Sequence, residues 1–259
     1  MSLHDCTKVG LFRISEFEPF IDRLVISRSG IERDRGQVVK ARPDLTDKDI
    51  RLATSAHLYH NVHFALVSLR VLDAYLTKAE WWQEPDQQAL FGTCDLSYRE
   101  AIANNFNNGA VKYAFMHKLF GTLENTFRHL LRKIDPAAAS GATESIEGVF
   151  GALVSRIGNK PADSDELLKL LRLSRNSIHN NGVFYPKNQT NDQVIYKGST
   201  YDFNHGEPIK FVNWNFLIDR FDDVRQLVTA VILNPKIIGI SDEILDLFGS
   251  NRQTVRFTL

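Results

Sequence analysis

Residues 163–182, DSDELLKLLRLSRNSIHNNG, predict an amphipathic helix with recognisable residues at both ends. Asp163, followed three residues later by Glu166, has the pattern of an N-cap and its return partner. Gly182 is the residue type that most often follows the last helical turn, and we expect it at the C′ position. Between the two ends lies a stripe of residues at helical spacing, each within about 40° of Leu167 around the helix axis: Leu167, Leu171, Ser174 and Ile178. We therefore expect a helix that runs to Asn181 and buries this stripe.

The segment from Thr46 to about Lys78 predicts a second, longer helix. Its apolar residues alternate three and four positions apart and form one stripe: Leu58, Val62, Ala65, Leu69, Leu72 and Leu76. A further apolar set lies on the other side: Phe64, Val67, Val71, Ala74 and Tyr75. Because a helix with two apolar faces is typical of a domain interior, we expect this one to be central.

Other helices follow the same periodicity. One runs from about Ser97 to Ile134 and contains a stretch of poor helix sequence, Asn104–Gly109, where we expect a local distortion. Another covers Ser145–Ile157, and a third begins at Asn213 or Asn215 and ends near Leu233. Two short helices are also predicted, at Glu16–Ile26 and at Ser241–Phe248.

Strand patterns are confined to three segments: Gln193–Lys197, Thr200–Phe203 and Pro208–Val212. They predict a small antiparallel appendage at 193–212. Short loops between the remaining helices predict an all-α, up-and-down helical bundle. We expect three parts in the chain: a poorly defined N-terminal extension (1–47), the bundle (48–235) and a C-terminal tail with a short helix (236–259).

The composition is that of a folded globular protein. Hydrophobic residues make up 43% of the 259 residues, which excludes a disordered or fibrous chain. Lys plus Arg and Asp plus Glu each number 31, so any contact with RNA has to come from a local patch. Cys6 and Cys94 are too few for a disulfide framework and lack the paired spacing of zinc ligands. We expect a cytoplasmic protein that does not insert into a membrane.

Three polar residues form a ridge on the helix at 163–181. They lie beside the apolar stripe, at about 80°, 120° and 140° from Leu167 around the helix axis: Arg175, His179 and Arg172. Arginine offers paired donors to a phosphate, and histidine exchanges a proton near pH 7. The carbonyl groups at the helix end favour a charged His179 and the arginines oppose it, so we expect its pKa near neutrality. This combination permits cleavage of RNA without a metal.

The segment RNSIHNNG, residues 175–182, resembles the arginine, polar spacer and histidine motif of the HEPN superfamily (higher eukaryotes and prokaryotes nucleotide-binding domains). It is most similar to uncharacterised bacterial and plasmid-borne members whose motif helix also ends in Asn-Asn-Gly. HEPN domains are up-and-down bundles of roughly four or five helices. Many are metal-independent ribonucleases of toxin–antitoxin and phage-defence systems, and they act as dimers that bring two motifs together.

The resemblance implies a homodimer that cleaves RNA by attack of the ribose 2′-hydroxyl on the adjacent phosphate. His179 would transfer protons, an arginine would stabilise the added negative charge, and Asn176 and Asn180 would position these groups. Glu124 and Arg128 are similar to an acidic and basic pair on a core helix of related bundles. The implied partners are RNA, a second copy of the chain, and an antitoxin or other protein. No metal, cofactor or membrane is implied.

The family spacing leaves the identity of the motif arginine open. HEPN motifs place four to six residues between arginine and histidine, and six residues separate Arg172 from His179. Arg175 leaves only three intervening residues, but it is followed by Asn176, the usual polar neighbour. Both arginines are therefore candidates for phosphate binding.

A second hypothesis is a non-catalytic helical interaction or nucleotide-binding module. Arginine and histidine near the end of a helix also complement its dipole and need no further purpose. A ridge that pairs with Asp or Glu of its own chain would favour this hypothesis, and a ridge at a two-fold interface would favour the ribonuclease. His57, His60 and His63 spread over about 120° of their helix, so we expect them to line a pocket or a dimer seam rather than bind a metal.

Overall fold

The computed structural model of the chain describes residues 17–92, 95–140 and 145–246. Its helices are α1 (Glu18–Ala41), α2 (Ile50–Val71), α3 (Ala79–Gln83), α4 (Pro85–Phe91), α5 (Leu96–Asn104), α6 (Lys112–Ile134), α7 (Pro136–Ser140), α8 (Ile146–Ile157), α9 (Ser164–His179), α10 (Trp214–Ile232) and α11 (Pro235–Ile238). Two strands, β1 (Asp192–Tyr196) and β2 (Ser199–Phe203), form a small antiparallel sheet. The predicted fold class, all-α with a small β appendage, is confirmed.

Helix α6 lies at the centre of the bundle, where it contacts α2, α8, α9 and α10. Its buried face consists of residues three or four positions apart, so they share one side of the helix: Phe115, Leu119, Leu123, Phe127 and Leu130. This packing places α6 between α2 on one side and α9 on another. Both cavities described below are lined by α6.

Helix α2 buries one apolar stripe and exposes the other. Leu58 and Leu69 belong to the core, as predicted. Val67, however, is 63% exposed, and Tyr75, in the π-helical turn Leu72–Leu76 that continues α2, is 49% exposed. The prediction that α2 is the central helix is therefore wrong, because α1 and α6 cover the stripe that includes Leu58 and leave the face that includes Val67 in solvent.

The sequence predicted only a short helix at Glu16–Ile26, but α1 extends to Ala41. It packs against α2 and α10 and buries Leu24, Ile31 and Val38 in the core. The predicted boundary at residue 47 therefore divides a single core, because α1 packs into the same core as the bundle.

The chain between α5 and α6 is π-helical over Asn105–Val111. This confirms the distortion predicted for Asn104–Gly109. The indole Nε1 of Trp214 on α10 donates a buried hydrogen bond of 3.0 Å to Oδ1 of Asn107, which fixes the segment against the bundle. Wider π turns are common at functional sites, and this one places several polar side chains beside the end of α9.

Strands β1 and β2 pair from Asp192 with Phe203 to Tyr196 with Ser199. Lys197 and Gly198 connect them, both with positive φ, as a two-residue hairpin turn requires. The third predicted strand, Pro208–Val212, does not form, and this segment makes only an isolated bridge between Val183 and Pro208. A proline has no backbone N–H to donate to a sheet, which limits the pairing of this segment.

The helix predicted at Ser241–Phe248 is absent from its described part, residues 241–246. Instead, the N–H of Ile244 donates to the carboxylate of Asp49 at the start of α2. The fully buried Arg51 donates to Asp49 and to the carbonyl oxygens of Ile237, Ile240 and Asp242. These tertiary hydrogen bonds replace those of a helix. Residues 247 and 248, like Cys6 and Cys94, lie outside the described residues.

Candidate functional site

Both ends of α9 differ in detail from the prediction. Asp163 precedes the helix but has a φ of 55°, and its side chain makes no capping hydrogen bond. The predicted capping box with Glu166 is therefore wrong. At the other end the helix stops at His179, Asn181 occupies the left-handed C′ position, and Gly182 follows it. The N–H of Gly182 bonds to the carbonyl of Ser177, which completes a Schellman motif and fixes the last turn.

His179 contacts two residues of α6. Its Nδ1 lies 3.0 Å from the hydroxyl of Tyr113, and the two rings meet edge to face with centroids 5.3 Å apart. The ring of His117 lies 5.9 Å from that of His179 and stacks parallel to that of Tyr113. Sequence reasoning missed Tyr113 and His117. Their spacing of four residues on a predicted helix was visible, but the antiparallel packing of α6 against α9 was not.

His179 and Tyr113 lie in an open cleft of about 720 Å³, which we call the motif cleft. The π-helical segment contributes Asn105 and Asn108, and the first turn of α6 contributes Lys112. The ammonium of Lys112 donates a 2.8 Å hydrogen bond to Oδ1 of Asn108. With Asn181, the cleft combines a cation, an imidazole, a phenol and three asparagines, which suits an anionic ligand rich in oxygen atoms.

Two groups in the motif cleft have pKa values below their ordinary values. Partial burial lowers the pKa of His179 below its ordinary value of 6.5, and the positive charges of Arg175 and His117 lower it further. Burial also lowers the pKa of Lys112. The carbonyl groups at the helix end, which favour a charged His179, do not offset these effects. The imidazole is therefore mainly neutral at pH 7 and available as a base.

Arg172 does not share the environment of His179. Its Nε forms an ion pair with Oε1 of Glu147 on α8, and both side chains are about two-thirds buried. The other oxygen of Glu147 is buried without a hydrogen-bond partner, so this carboxylate depends on Arg172. The ridge predicted from the helical angles is therefore not continuous. Arg172 pairs with Glu147 of α8, whereas His179 lines the motif cleft.

Arg175 remains on the side of α9 that faces α6. Its guanidinium group lies 5.1 Å from the centroid of the Phe120 ring, and Nη1 contacts Oδ1 of Asn176 at 3.5 Å. Its Nε is buried and makes no hydrogen bond. Within the described ranges no carboxylate forms a salt bridge with Arg175. Of the two candidate arginines, Arg175 is thus the one with donors left for a ligand.

No family model, curated protein or solved structure matches this chain.

Of the predicted site residues, His179 lines the motif cleft, whereas Arg175, Arg172 and the remaining ones do not. Glu124 and Arg128 on α6 bind each other, with Nη2 of Arg128 2.7 Å from the carboxylate. Asn176 and Asn180 are exposed, and Asn180 caps α9 through its backbone N–H, which donates to the carbonyl of Ser177. The pair on α6 is therefore an ion pair of successive helical turns rather than part of the cleft.

The three histidines of α2 have two different environments, in line with the spread of their angles around the helix. His57 and His60 line a second cavity between α2 and α6, which confirms that they border a pocket. His63 packs on the ring of Tyr59, with centroids 4.2 Å apart. In the part of the chain that the structure describes, no three His, Cys, Asp or Glu side chains are placed to hold a metal ion. None of the described helices is both long and apolar enough to cross a bilayer.

Proposed function

We propose that the motif cleft binds the phosphate backbone of single-stranded RNA and that the chain cleaves the RNA there without a metal. The carrying observation is the pair formed by His179 and Tyr113 at the mouth of a cleft that also holds Lys112. Arg175, one helical turn before His179, supplies a permanent positive charge. A neutral imidazole beside fixed cations is the equipment that cleavage of a phosphodiester requires.

In this reaction Nδ1–H of His179 donates to the hydroxyl of Tyr113, which leaves Nε2 as the acceptor. Nε2 takes the proton of the ribose 2′-hydroxyl, and the 2′ oxygen attacks the adjacent phosphorus. Arg175 stabilises the additional negative charge on the phosphoryl oxygens. The 5′ oxygen leaves with a proton from the ammonium of Lys112. The products are a 2′,3′-cyclic phosphate and a 5′-hydroxyl, and no atom or electron is left unaccounted for.

The proposal includes a homodimer, in which the exposed ends of two α9 helices face each other and bring two motif clefts together. The resemblance of RNSIHNNG to the HEPN motif supports this arrangement and a role in a toxin–antitoxin or phage-defence system. An antitoxin or another protein partner would then cover the same face. Light scattering of the purified chain tests the dimer directly.

One observation favours the alternative, a non-catalytic interaction or nucleotide-binding module. Arg172, whose spacing from His179 matches the family, is paired with Glu147 of its own chain. In that case the cleft binds an anionic ligand and cleaves nothing.

The test is cleavage of end-labelled single-stranded RNA in EDTA by the wild type and by His179→Ala, Arg175→Ala and Arg172→Ala. We expect His179→Ala and Arg175→Ala to lose about 100-fold or more in rate, because each removes a group that acts in the transition state. Arg172→Ala should retain most of the rate. His205→Ala and Arg33→Ala, which change exposed residues away from the cleft, are the matched controls. A folded wild type that cleaves none of several RNA sequences supports the non-catalytic module.

A further inference from the structure

The second cavity, between α2 and α6, has a volume of about 310 Å³. We call it the histidine cavity, because His57 and His60 of α2 and His117 of α6 line it. Its volume lies at the lower end of the range of small-ligand sites, about 300 to 1,000 Å³. Among the described residues, no carboxylate lines it.

Asn61 gives the histidine cavity an unused hydrogen-bond acceptor. The residue lines the cavity and is only 1% exposed. Its amide nitrogen donates a 3.1 Å hydrogen bond to the carbonyl of Phe115, which fixes the orientation of the amide. The remaining atom, Oδ1, is buried without a partner. Because an unsatisfied buried acceptor is unfavourable, a ligand with an N–H or O–H donor is favoured here.

A buried carboxylate outside the lining of the histidine cavity contacts two residues that line it. Oδ2 of Asp246 lies 2.7 Å from Nε2 of His57, and Oδ1 accepts a hydrogen bond of 3.4 Å from Asn125, which also lines the cavity. Asp246 is almost completely buried, so it fixes the imidazole ring from behind. A fixed imidazole ring offers a flat face on which a base can stack.

His117 connects the histidine cavity to the motif cleft. It lines the cavity, and its ring lies 5.9 Å from that of His179 and 5.9 Å from that of Tyr113, both of which line the cleft. A ligand that fills the cavity is therefore separated by one side chain from a phosphate bound at His179. In a nucleotide, a ribose separates the base from its own phosphate, and a ribose is similar in size to the side chain of His117.

We propose that the histidine cavity binds an unpaired RNA base whose phosphate lies in the motif cleft. Oδ1 of Asn61 accepts a hydrogen bond from an amino or ring N–H group of the base, and the rings of His57 and His117 flank it. Such donor groups are occupied and stacked in a duplex, so the cavity restricts the substrate to single-stranded RNA. This inference rests on the proposed function, because it takes the ligand of the motif cleft to be RNA.

Two glycines allow the cavity to be filled without disturbing the bundle. A Cβ on Gly121, which lines the cavity, would meet no atom within 4 Å, and the same is true of Gly151 on α8. Both glycines are exposed and helical. Gly121→Leu therefore places a side chain at the cavity, and Gly151→Leu is its matched control.

The experiment measures binding of the four 3′-nucleoside monophosphates to the full chain by calorimetry, for the wild type, Gly121→Leu, Gly151→Leu and Asn61→Ala. We expect at least one nucleotide to bind the wild type and Gly151→Leu equally. Gly121→Leu should weaken that binding by about tenfold or more, and Asn61→Ala by about fivefold, since it removes one acceptor. If no nucleotide binds the wild type, or if Gly121→Leu binds like Gly151→Leu, the inference is overturned.

Cleavage assays separate this inference from the proposed function. If Gly121→Leu and Asn61→Ala weaken nucleotide binding but the wild type cleaves no RNA, the base site is supported and the ribonuclease proposal is rejected. If cleavage depends on His179 but Gly121→Leu changes neither its rate nor its Michaelis constant, the ribonuclease is supported and the base site is rejected.

Discussion

At the level of single residues, the hydrogen bond between His179 and Tyr113 connects α9 to α6 and determines which imidazole nitrogen faces the cleft. Nδ1 contacts the phenol hydroxyl, which leaves Nε2 for the substrate in the proposed reaction. In the proposed reaction this bond orients the imidazole, a role that hydrogen-bond partners of histidine side chains commonly have.

Tyr113→Phe removes this hydrogen bond and keeps the ring. We expect the cleavage rate to fall about five- to tenfold with an unchanged fold, because a neutral hydrogen bond contributes about 1 kcal/mol. Single-turnover rates and circular dichroism provide the measurement. Tyr185→Phe, at an exposed tyrosine outside the cleft, is the control. Equal rates for the two variants would contradict the orienting role of Tyr113.

A second prediction for a single residue concerns the pKa of His179. In the folded chain we expect it below its ordinary value of 6.5, so at any pH the neutral, basic form is more populated than in a free histidine. Arg175→Ala removes one of the positive charges that lower this pKa, and the value should rise towards 6.5. Titration of the His179 ring by NMR measures both values. A wild-type pKa at or above 6.5 would show that the imidazole is stabilised as a cation, contrary to its proposed role as a base.

At the level of elements, the close approach of α1 to α10 depends on a glycine. A Cβ on Gly30 would lie 2.9 Å from the guanidinium carbon of Arg225, whose side chain is almost buried and pairs with Asp34 and Asp222. Gly36, two turns further along α1, has no atom within 4 Å of its Cβ position.

Substitution of these two glycines by alanine should have opposite effects on stability. Gly30→Ala displaces Arg225 from its carboxylates, and we expect the free energy of unfolding to fall by about 1 to 2 kcal/mol. Gly36→Ala should raise it by roughly 0.5 to 1 kcal/mol, because alanine restricts the unfolded chain without a clash. Urea denaturation measures both. Equal effects would show that α1 does not pack against α10 in this way.

The same element shows what the sequence was able to predict. Helices α8, α9 and α10 have local periodicity and were predicted within a few residues. The helix predicted at Ser97–Ile134 corresponds to α5, the π-helical segment and α6, and its distortion was predicted. The helix predicted at Thr46–Lys78 corresponds to α2 and a π-helical turn at Leu72–Leu76. Helix α1 was largely missed because its polar residues are matched by distant partners, such as Arg23 by Asp219 and Asp34 by Arg225, which no local pattern reveals. The site divides in the same way. His179 and Arg175 follow from the motif on α9, whereas Tyr113 and Lys112 become visible only when α6 lies beside it.

At the level of the whole molecule, α1 and the bundle form one core. Leu24, Ile31 and Val38 are each almost fully buried there, and burial of such a side chain contributes about 1.5 to 3 kcal/mol. Their sum is a large part of the roughly 5 to 15 kcal/mol that stabilises a typical domain.

A chain that begins at residue 48 should therefore fail to fold. We expect it to lack a cooperative thermal transition, while the full chain unfolds in one step. Scanning calorimetry of both chains provides the comparison. A cooperative transition in the shortened chain would show that the bundle from residue 48 onward is independent of α1.

The central claim is that the motif cleft cleaves RNA through the 2′-hydroxyl with His179 as the base. The most direct measurement is the identity of the RNA ends after incubation in EDTA, by mass spectrometry, for the wild type and His179→Ala. The account predicts 2′,3′-cyclic phosphate and 5′-hydroxyl ends from the wild type and uncut RNA from the variant. Equal cleavage by both proteins, or 3′-hydroxyl and 5′-phosphate ends from the wild type, would contradict it.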